Sequence, residues 1–123
     1  MAGTRVLLVD DDSLVRKVLS RILADHEDIE VVGEAATGEE AISSVGRLEP
    51  HVVVLDIRMP KMDGVAAARE IRSRYPQVKI IGLSELPQQY EVFSMQKAGV
   101  SAVYYKSQAT EQLYAAIKKA TAE

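Results

Sequence analysis

Val6-Leu7-Leu8-Val9 and Val52-Val53-Val54-Leu55 are unbroken apolar runs, each four residues long. A strand with one wet face alternates apolar and polar positions, whereas a run without alternation suits a strand buried on both faces. Three more β-branched runs, Ile29-Glu30-Val31-Val32, Val78-Lys79-Ile80-Ile81-Gly82-Leu83 and Ala102-Val103-Tyr104-Tyr105, complete a set of five predicted strands. The segments between them change period. Leu14, Val15, Val18, Leu19, Ile22 and Leu23 return at helical spacing and predict a helix over 13–25 with one apolar face. Thr37-Gly38-Glu39-Glu40 has the spacing of a capping box ahead of Ala41, Ile42, Val45 and Leu48. Gly64 precedes a third helix, Val65 to Arg74, which Pro76 stops. Pro87 suits the first turn of a fourth helix reaching about Ala98, with Gly99 as its stop. Leu113, Ala116, Ile117 and Ala120 mark a fifth. Five strand–helix units in succession imply a parallel sheet wrapped by helices on both sides, an α/β doubly wound (βα)5 domain.

Such folds place their sites at the carboxyl ends of the strands, in the crevice where strand order reverses. Asp10, Asp11 and Asp12 follow the first strand, Asp56 the third, Ser84 the fourth and Lys106 the fifth, so all are expected on one edge of the sheet. Taken singly, each has a plain reading. Asp12 or Ser13 would cap the first helix, Ser84 would serve a turn, and a lone Lys106 would be a solvated residue. These readings leave unexplained two further carboxylates and an aspartate that ends a wholly apolar strand. Converging carboxylates repel and raise at least one pKa unless a cation joins them. Oxygen donors without His or Cys favour a hard ion, and two or three protein oxygens plus waters suit Mg²⁺ better than Ca²⁺. A cation and a hydroxyl around that aspartate suit an anionic phosphoryl group.

Composition narrows the alternatives. One core is expected of 123 residues, so 1–123 is read as a single domain. Fifteen basic against eighteen acidic residues, with no basic run, argue against direct nucleic-acid binding by this chain. The absence of Cys removes thiol chemistry and Cys-ligated zinc. No apolar run at the start is long enough for a signal peptide or a membrane span, which leads to an expectation of a cytoplasmic protein without membrane contact.

Val9-Asp10-Asp11-Asp12-Ser13-Leu14-Val15-Arg16, Val54-Leu55-Asp56-Ile57-Arg58-Met59-Pro60-Lys61-Met62-Asp63-Gly64, Leu83-Ser84, and Ala98-Gly99 followed by Lys106 together resemble the receiver domain of two-component response regulators. Glu34-Ala35-Ala36-Thr37-Gly38-Glu39-Glu40-Ala41 and Lys106-Ser107 resemble its NarL/FixJ class in particular. The resemblance implies a flavodoxin-like sheet of order 2-1-3-4-5. It implies that Asp56 accepts a phosphoryl group from a sensor histidine kinase or phosphotransfer protein. Asp11, Asp56 and the backbone carbonyl of Arg58 would hold Mg²⁺, with Asp10 assisting through water. Lys106 would pair with Asp56 and then with the phosphate, and Ser84 would hydrogen-bond the phosphoryl oxygen. The chain would thus be a phosphoacceptor that assists its own phosphorylation and dephosphorylation, not a turnover enzyme, and a homodimer is compatible with the class. Members commonly carry a helix-turn-helix domain after the receiver. The sequence has none, so the expectation is a receiver standing alone or a portion of a longer protein.

Three positions depart from the family pattern. Val103 stands where an aromatic residue is common, Glu85 follows the switch hydroxyl where a small or apolar residue is usual, and Arg58 could cover or steer access to the site. Two other readings compete. Asp10-x-Asp12 mimics a haloacid-dehalogenase-type phosphohydrolase, but Ser13-Leu14 replaces the expected Gly-Thr. An unphosphorylated interaction module on the same fold is the other, and the full acidic set with Ser84 and Lys106 weighs against it. No Gly-x-Gly-x-x-Gly follows a strand, so no pyrophosphate cradle is encoded. His26 and His51 are read as exposed, and Tyr90, Phe93 and Met95 as packing or surface residues of the fourth helix.

Overall fold

The computed structural model describes residues 3–59, 63–85 and 88–122, so Pro60, Lys61, Met62 and Pro87 of the sequence reading lie outside the described residues. Five strands alternate with five helices: β1 (Thr4–Val9), α1 (Ser13–Ala24), β2 (Ile29–Ala35), α2 (Gly38–Leu48), β3 (Val52–Asp56), α3 (Gly64–Arg74), β4 (Lys79–Ser84), α4 (Gln89–Lys97), β5 (Ala102–Tyr105) and α5 (Ala109–Thr121). All pairings are parallel, and the sheet order is 2-1-3-4-5. The order reverses beside β1, which places the switch point between β1 and β3.

The unbroken apolar runs have a direct structural cause. Val6 and Leu8 of β1 face a core made with Leu19 and Leu23 of α1 and Leu113 and Ile117 of α5. Their neighbours Leu7 and Val9 face the opposite core, with Val45 of α2, Ile71 of α3 and Met95 of α4. In β3, Val52 and Val54 take the first side and Val53 and Leu55 the second. Burying a side chain of this size contributes about 1.5–3 kcal/mol, so these central strands anchor both layers.

The helix starts follow side-chain caps. Asp12 Oδ1 accepts the Leu14 N–H at 2.9 Å, Thr37 Oγ1 the Glu40 N–H at 3.1 Å, and Asp63 Oδ1 the Ala66 N–H at 2.8 Å. Asp12 is therefore the cap of α1, as its plain reading has it. Gly99 adopts φ 91 at the end of α4, where a side chain would be strained.

Three details differ from the sequence reading, and a fourth, on α4, sharpens it. β2 runs on through Gly33 and Glu34 to Ala35, because it pairs with β1 along its whole length despite the broken apolar pattern. Leu14 and Val18 are 65% and 50% exposed, so the buried face of α1 is narrower than its apolar spacing suggests. On α4, Met95 is fully buried while Tyr90 and Phe93 are exposed. His26 is half-buried rather than exposed: its ring stacks on Tyr114 of α5 at 3.7 Å with a 6° interplanar angle. Asp28 completes this anchor, accepting from the Tyr114 hydroxyl and pairing with Lys118, each at 2.8 Å. The Lys118 and Tyr114 contacts hold the Asp28 carboxyl below the usual aspartate range.

Candidate functional site

The carboxyl edge of the sheet gathers the residues singled out by spacing. Asp56 is the last residue of β3, Ser84 the last of β4, Asp10 and Asp11 directly follow β1, and Lys106 directly follows β5. Asp56 lies in register with Leu83, one residue before Ser84. Carboxylate oxygens of Asp10, Asp11 and Asp56 lie within 4.8 Å of one another. Asp10, Asp56 and Ser84 are buried, whereas Asp11 is exposed, so the cluster has a dry floor and one wet wall.

Asp10 is held from every side. Its N–H donates to the Ala35 carbonyl at 3.1 Å, its Oδ1 accepts the Asp12 N–H at 2.9 Å, and its carbonyl accepts from Arg16 Nη1 at 2.6 Å. Arg16 also pairs with Glu34 at 2.8 Å, which pins the start of α1 to the end of β2. The sequence reading assigned Arg16 and Glu34 no role. Their signal is weak, since an arginine on a helix opposite a strand-end glutamate looks like any solvated pair.

Lys106 reaches in from the end of β5, with Nζ 2.8 Å from Asp10 Oδ2 and 3.5 Å from Asp56 Oδ2. Its side chain is 18% exposed, so it is more enclosed than a residue at an open strand end. Burial alone would pull its pKa down, but the Asp10 and Asp56 contacts outweigh burial and hold it above the ordinary lysine value. Asp56 shows the opposite conflict. Burial first, and the Asp10 charge second, push its carboxyl up to about 6, although Lys106 and the Arg58 N–H oppose them. That N–H donates to Asp56 Oδ1 at 3.2 Å.

The Arg58 side chain lines the cleft beside Asp11. It turns along the surface to Glu91 of α4, an acidic residue that sequence spacing does not connect to the site. Glu85 is exposed and shares a cleft with Lys106. A separate cleft of 630 Å³, lined in part by Asp11, Arg58, Asp63, Tyr90 and Glu91, opens beside the carboxylates. Val103 lies deeper: its Cγ2 sits 3.3 Å from where a Cβ on Gly82 would stand, and Met95 Cε only 2.9 Å from it.

Three carboxylates with one lysine leave an excess of negative charge, which adds to burial in raising the Asp56 pKa. An all-oxygen donor set with that excess fits a hard divalent cation such as Mg²⁺.

The raised value has a stability consequence. A carboxyl whose folded-state pKa exceeds its ordinary value penalises the fold when ionised. Here the penalty is absent below about 3.8 and complete above about 6. At about 1.4 kcal/mol per unit the ceiling is about 3 kcal/mol. Solvent on the open Asp11 side screens part of this, so Asp56→Asn is expected to gain about 1–2 kcal/mol in chelator near pH 8. That gain should vanish near pH 4. Urea unfolding at the two pH values checks it, and a variant less stable than wild type near pH 8 would contradict it.

A doubly wound sheet of order 2-1-3-4-5 with an acidic cluster at its switch point, flanked by a buried serine and a lysine, is the architecture of a receiver-like α/β domain. The model of the response regulator receiver domain matches residues 6–118, and the chain belongs to that family. It is 37% identical over 115 residues to the response regulator protein VraR of Staphylococcus epidermidis, covering 94% of this chain and 55% of that protein. It therefore spans about half the length of the curated relatives it matches. Among solved structures it is similar to the response regulator domain of Thermotoga maritima CheB, with a TM-score of 0.92, 28% identity and 98% of each chain covered. The receiver domain of NarL from Mycobacterium tuberculosis gives a TM-score of 0.90 at 30% identity, with both chains covered in full.

Proposed function

We propose that this chain is the phosphoacceptor switch of a cytoplasmic two-component system. Asp56 takes a phosphoryl group from a histidine kinase or phosphotransfer protein. The observation that carries this is the Asp56 carboxylate at the floor of the acidic pocket, within reach of Asp10, Asp11 and Lys106. One Asp56 oxygen bonds to phosphorus as the bond from phosphorus to the donor histidine nitrogen breaks, and the departing electron pair returns to the imidazole. Lys106, already cationic between Asp10 and Asp56, moves its attraction to the incoming phosphoryl oxygens. Ser84 presents its hydroxyl from the end of the neighbouring strand. Asp10, Asp11, Asp56 and the Arg58 carbonyl would hold Mg²⁺, which when bound supplies charge neutralisation for the transfer. In dephosphorylation a water oxygen bonds to phosphorus as the phosphorus–Asp56 oxygen bond breaks; the electron pair returns to the Asp56 carboxylate, inorganic phosphate leaves, and Lys106 balances the charge. Glu85 adds a carboxylate at the mouth of the Lys106 cleft, where it disfavours approach of anions from that side.

The output, and an adjoining DNA-binding domain of the NarL/FixJ kind, follow from family likeness alone. Intact-mass measurement after incubation with acetyl phosphate and Mg²⁺ tests the acceptor. The expected result is one added phosphoryl group on wild type, none in chelator and none on Asp56→Asn. A full modification that survives Asp56→Asn assigns the wrong residue, and an unmodified wild type removes the function.

A further inference from the structure

Arg58 and Glu91, 33 residues apart, form a fork: Nε to Oε2 at 2.9 Å and Nη2 to Oε1 at 3.0 Å. Bidentate pairs of this kind combine strength with fixed geometry. The two partners differ in environment. Arg58 is exposed, but the Glu91 side chain is only 10% exposed and its Oε1 also accepts the Gln88 N–H at 2.9 Å. Glu91 is therefore fixed to the first turn of α4. At the other end, the Arg58 N–H donates to Asp56 Oδ1. Residue 58 thus touches the phosphoacceptor through its backbone and α4 through its side chain.

Among the described side-chain hydrogen bonds and ion pairs, none joins β5 to α4. Val103 is half-buried against the core that contains Met95, is β-branched with few rotamers, and crowds the space over Gly82. Tyr105, in register with Ser84, stands 43% exposed. A conformational response needs contacts that differ between two states, and the only side-chain bridge from the β3–α3 segment to α4 among the described hydrogen bonds and ion pairs is Arg58–Glu91.

We propose that Glu91 is a positioning residue for the phosphoacceptor site and that the Arg58–Glu91 fork transmits the occupancy of the acidic pocket to α4. The proposal rests on the phosphoacceptor reading above. When residue 58 shifts to accommodate a cation and a phosphoryl group, the fork either drags the first turn of α4 or breaks, and both alter α4. Coupling of this kind is reciprocal: anything that fixes α4 through Glu91 must alter affinity at the acidic pocket by the same factor.

The test uses beryllofluoride with Mg²⁺ as the probe and hydrogen exchange of the α4 amides as the readout. Wild type, Glu91→Gln, Arg58→Ala and the double variant are compared. Glu91→Gln preserves shape, and Arg58 is exposed, so the second variant guards against a folding defect in the first. Wild type is expected to change α4 exchange on binding. Each single variant should bind the probe about fivefold more weakly, the low end of ordinary coupling, and lose most of the α4 response. The double variant should be no worse than either single, because both remove one contact. Probe binding with an undiminished α4 response in both single variants would overturn the fork while leaving the phosphoacceptor reading intact. Additive losses in the double variant would also overturn it. A wild type that does not bind the probe overturns both readings.

Discussion

Lys106→Ala is expected to lower stability by about 2–3 kcal/mol near pH 8 in chelator, and millimolar Mg²⁺ is expected to restore most of it. The sequence alone suggests a milder result, because a lysine at a strand end buries little. The structure changes that judgement: Nζ is the cation between Asp10 and Asp56, which are 2% and 5% exposed. Breaking a buried pair by removing one partner costs about 3–5 kcal/mol when the remaining charge has no escape. Here the escape is a proton. The Asp56 carboxyl is already pushed up to about 6, and taking a proton two units higher costs about 3 kcal/mol, which limits its share of the loss.

The pH dependence follows from the same groups. The Lys106 pKa is raised, so its contribution is fully present below the ordinary lysine value and lost only as pH rises through the higher folded value. Below neutrality the carboxylates set the trend, and the deficit of the variant should shrink as Asp56 protonates. Thermal melts of both proteins across pH, with and without Mg²⁺, check this. Rescue by Mg²⁺ should extend to stability but not to phosphorylation, since a cation bound by carboxylates does not replace the contact proposed between the lysine and a phosphoryl group. An unchanged melting temperature near pH 8 in chelator would show that the three carboxylates do not depend on Lys106.

The parts of this molecule that could be read from sequence are those with local causes. Asp12 caps α1 because an aspartate two residues ahead of a helical N–H can reach it. Val52 to Leu55 declare a central strand because adjacent residues fill two different cores. Asp10, Asp56, Ser84 and Lys106 share an edge because parallel strands all end on the same side. The sheet order has no local cause, and only the family likeness supplied it. β2 extends beyond its apolar run because an edge strand tolerates Glu34 on its open side. Leu14 and Val18 continue the apolar period of α1 beyond the width of the face that the sheet and α5 cover. Arg58–Glu91 and Arg16–Glu34 are the least legible: each joins distant segments through long side chains whose direction no periodicity encodes.

Gly64→Ala is expected to cost about 2–3 kcal/mol and to weaken Mg²⁺ binding beyond what lost stability explains. The residue opens α3, where its N–H donates to the Ile57 carbonyl at 2.6 Å. No unusual backbone angle demands glycine there; the demand is for space. A Cβ would lie 2.5 Å from the Asp56 carbonyl oxygen, 2.6 Å from the Ile57 Cα and 2.8 Å from the Ile57 carbonyl oxygen. All three are backbone atoms, so no rotamer change relieves the contact. Alanine returns at most about 1 kcal/mol through better helix propensity, too little to offset overpacking of up to about 3 kcal/mol or more. The relief available is to push the 56–57 backbone away from α3, and that backbone carries Asp56, the proposed phosphoacceptor, and leads into residue 58. Chemical denaturation measures the first effect. Mg²⁺ titration by NMR, at a temperature where the variant is fully folded, measures the second. A folded variant with wild-type Mg²⁺ affinity would show that the close approach of Gly64 serves packing alone.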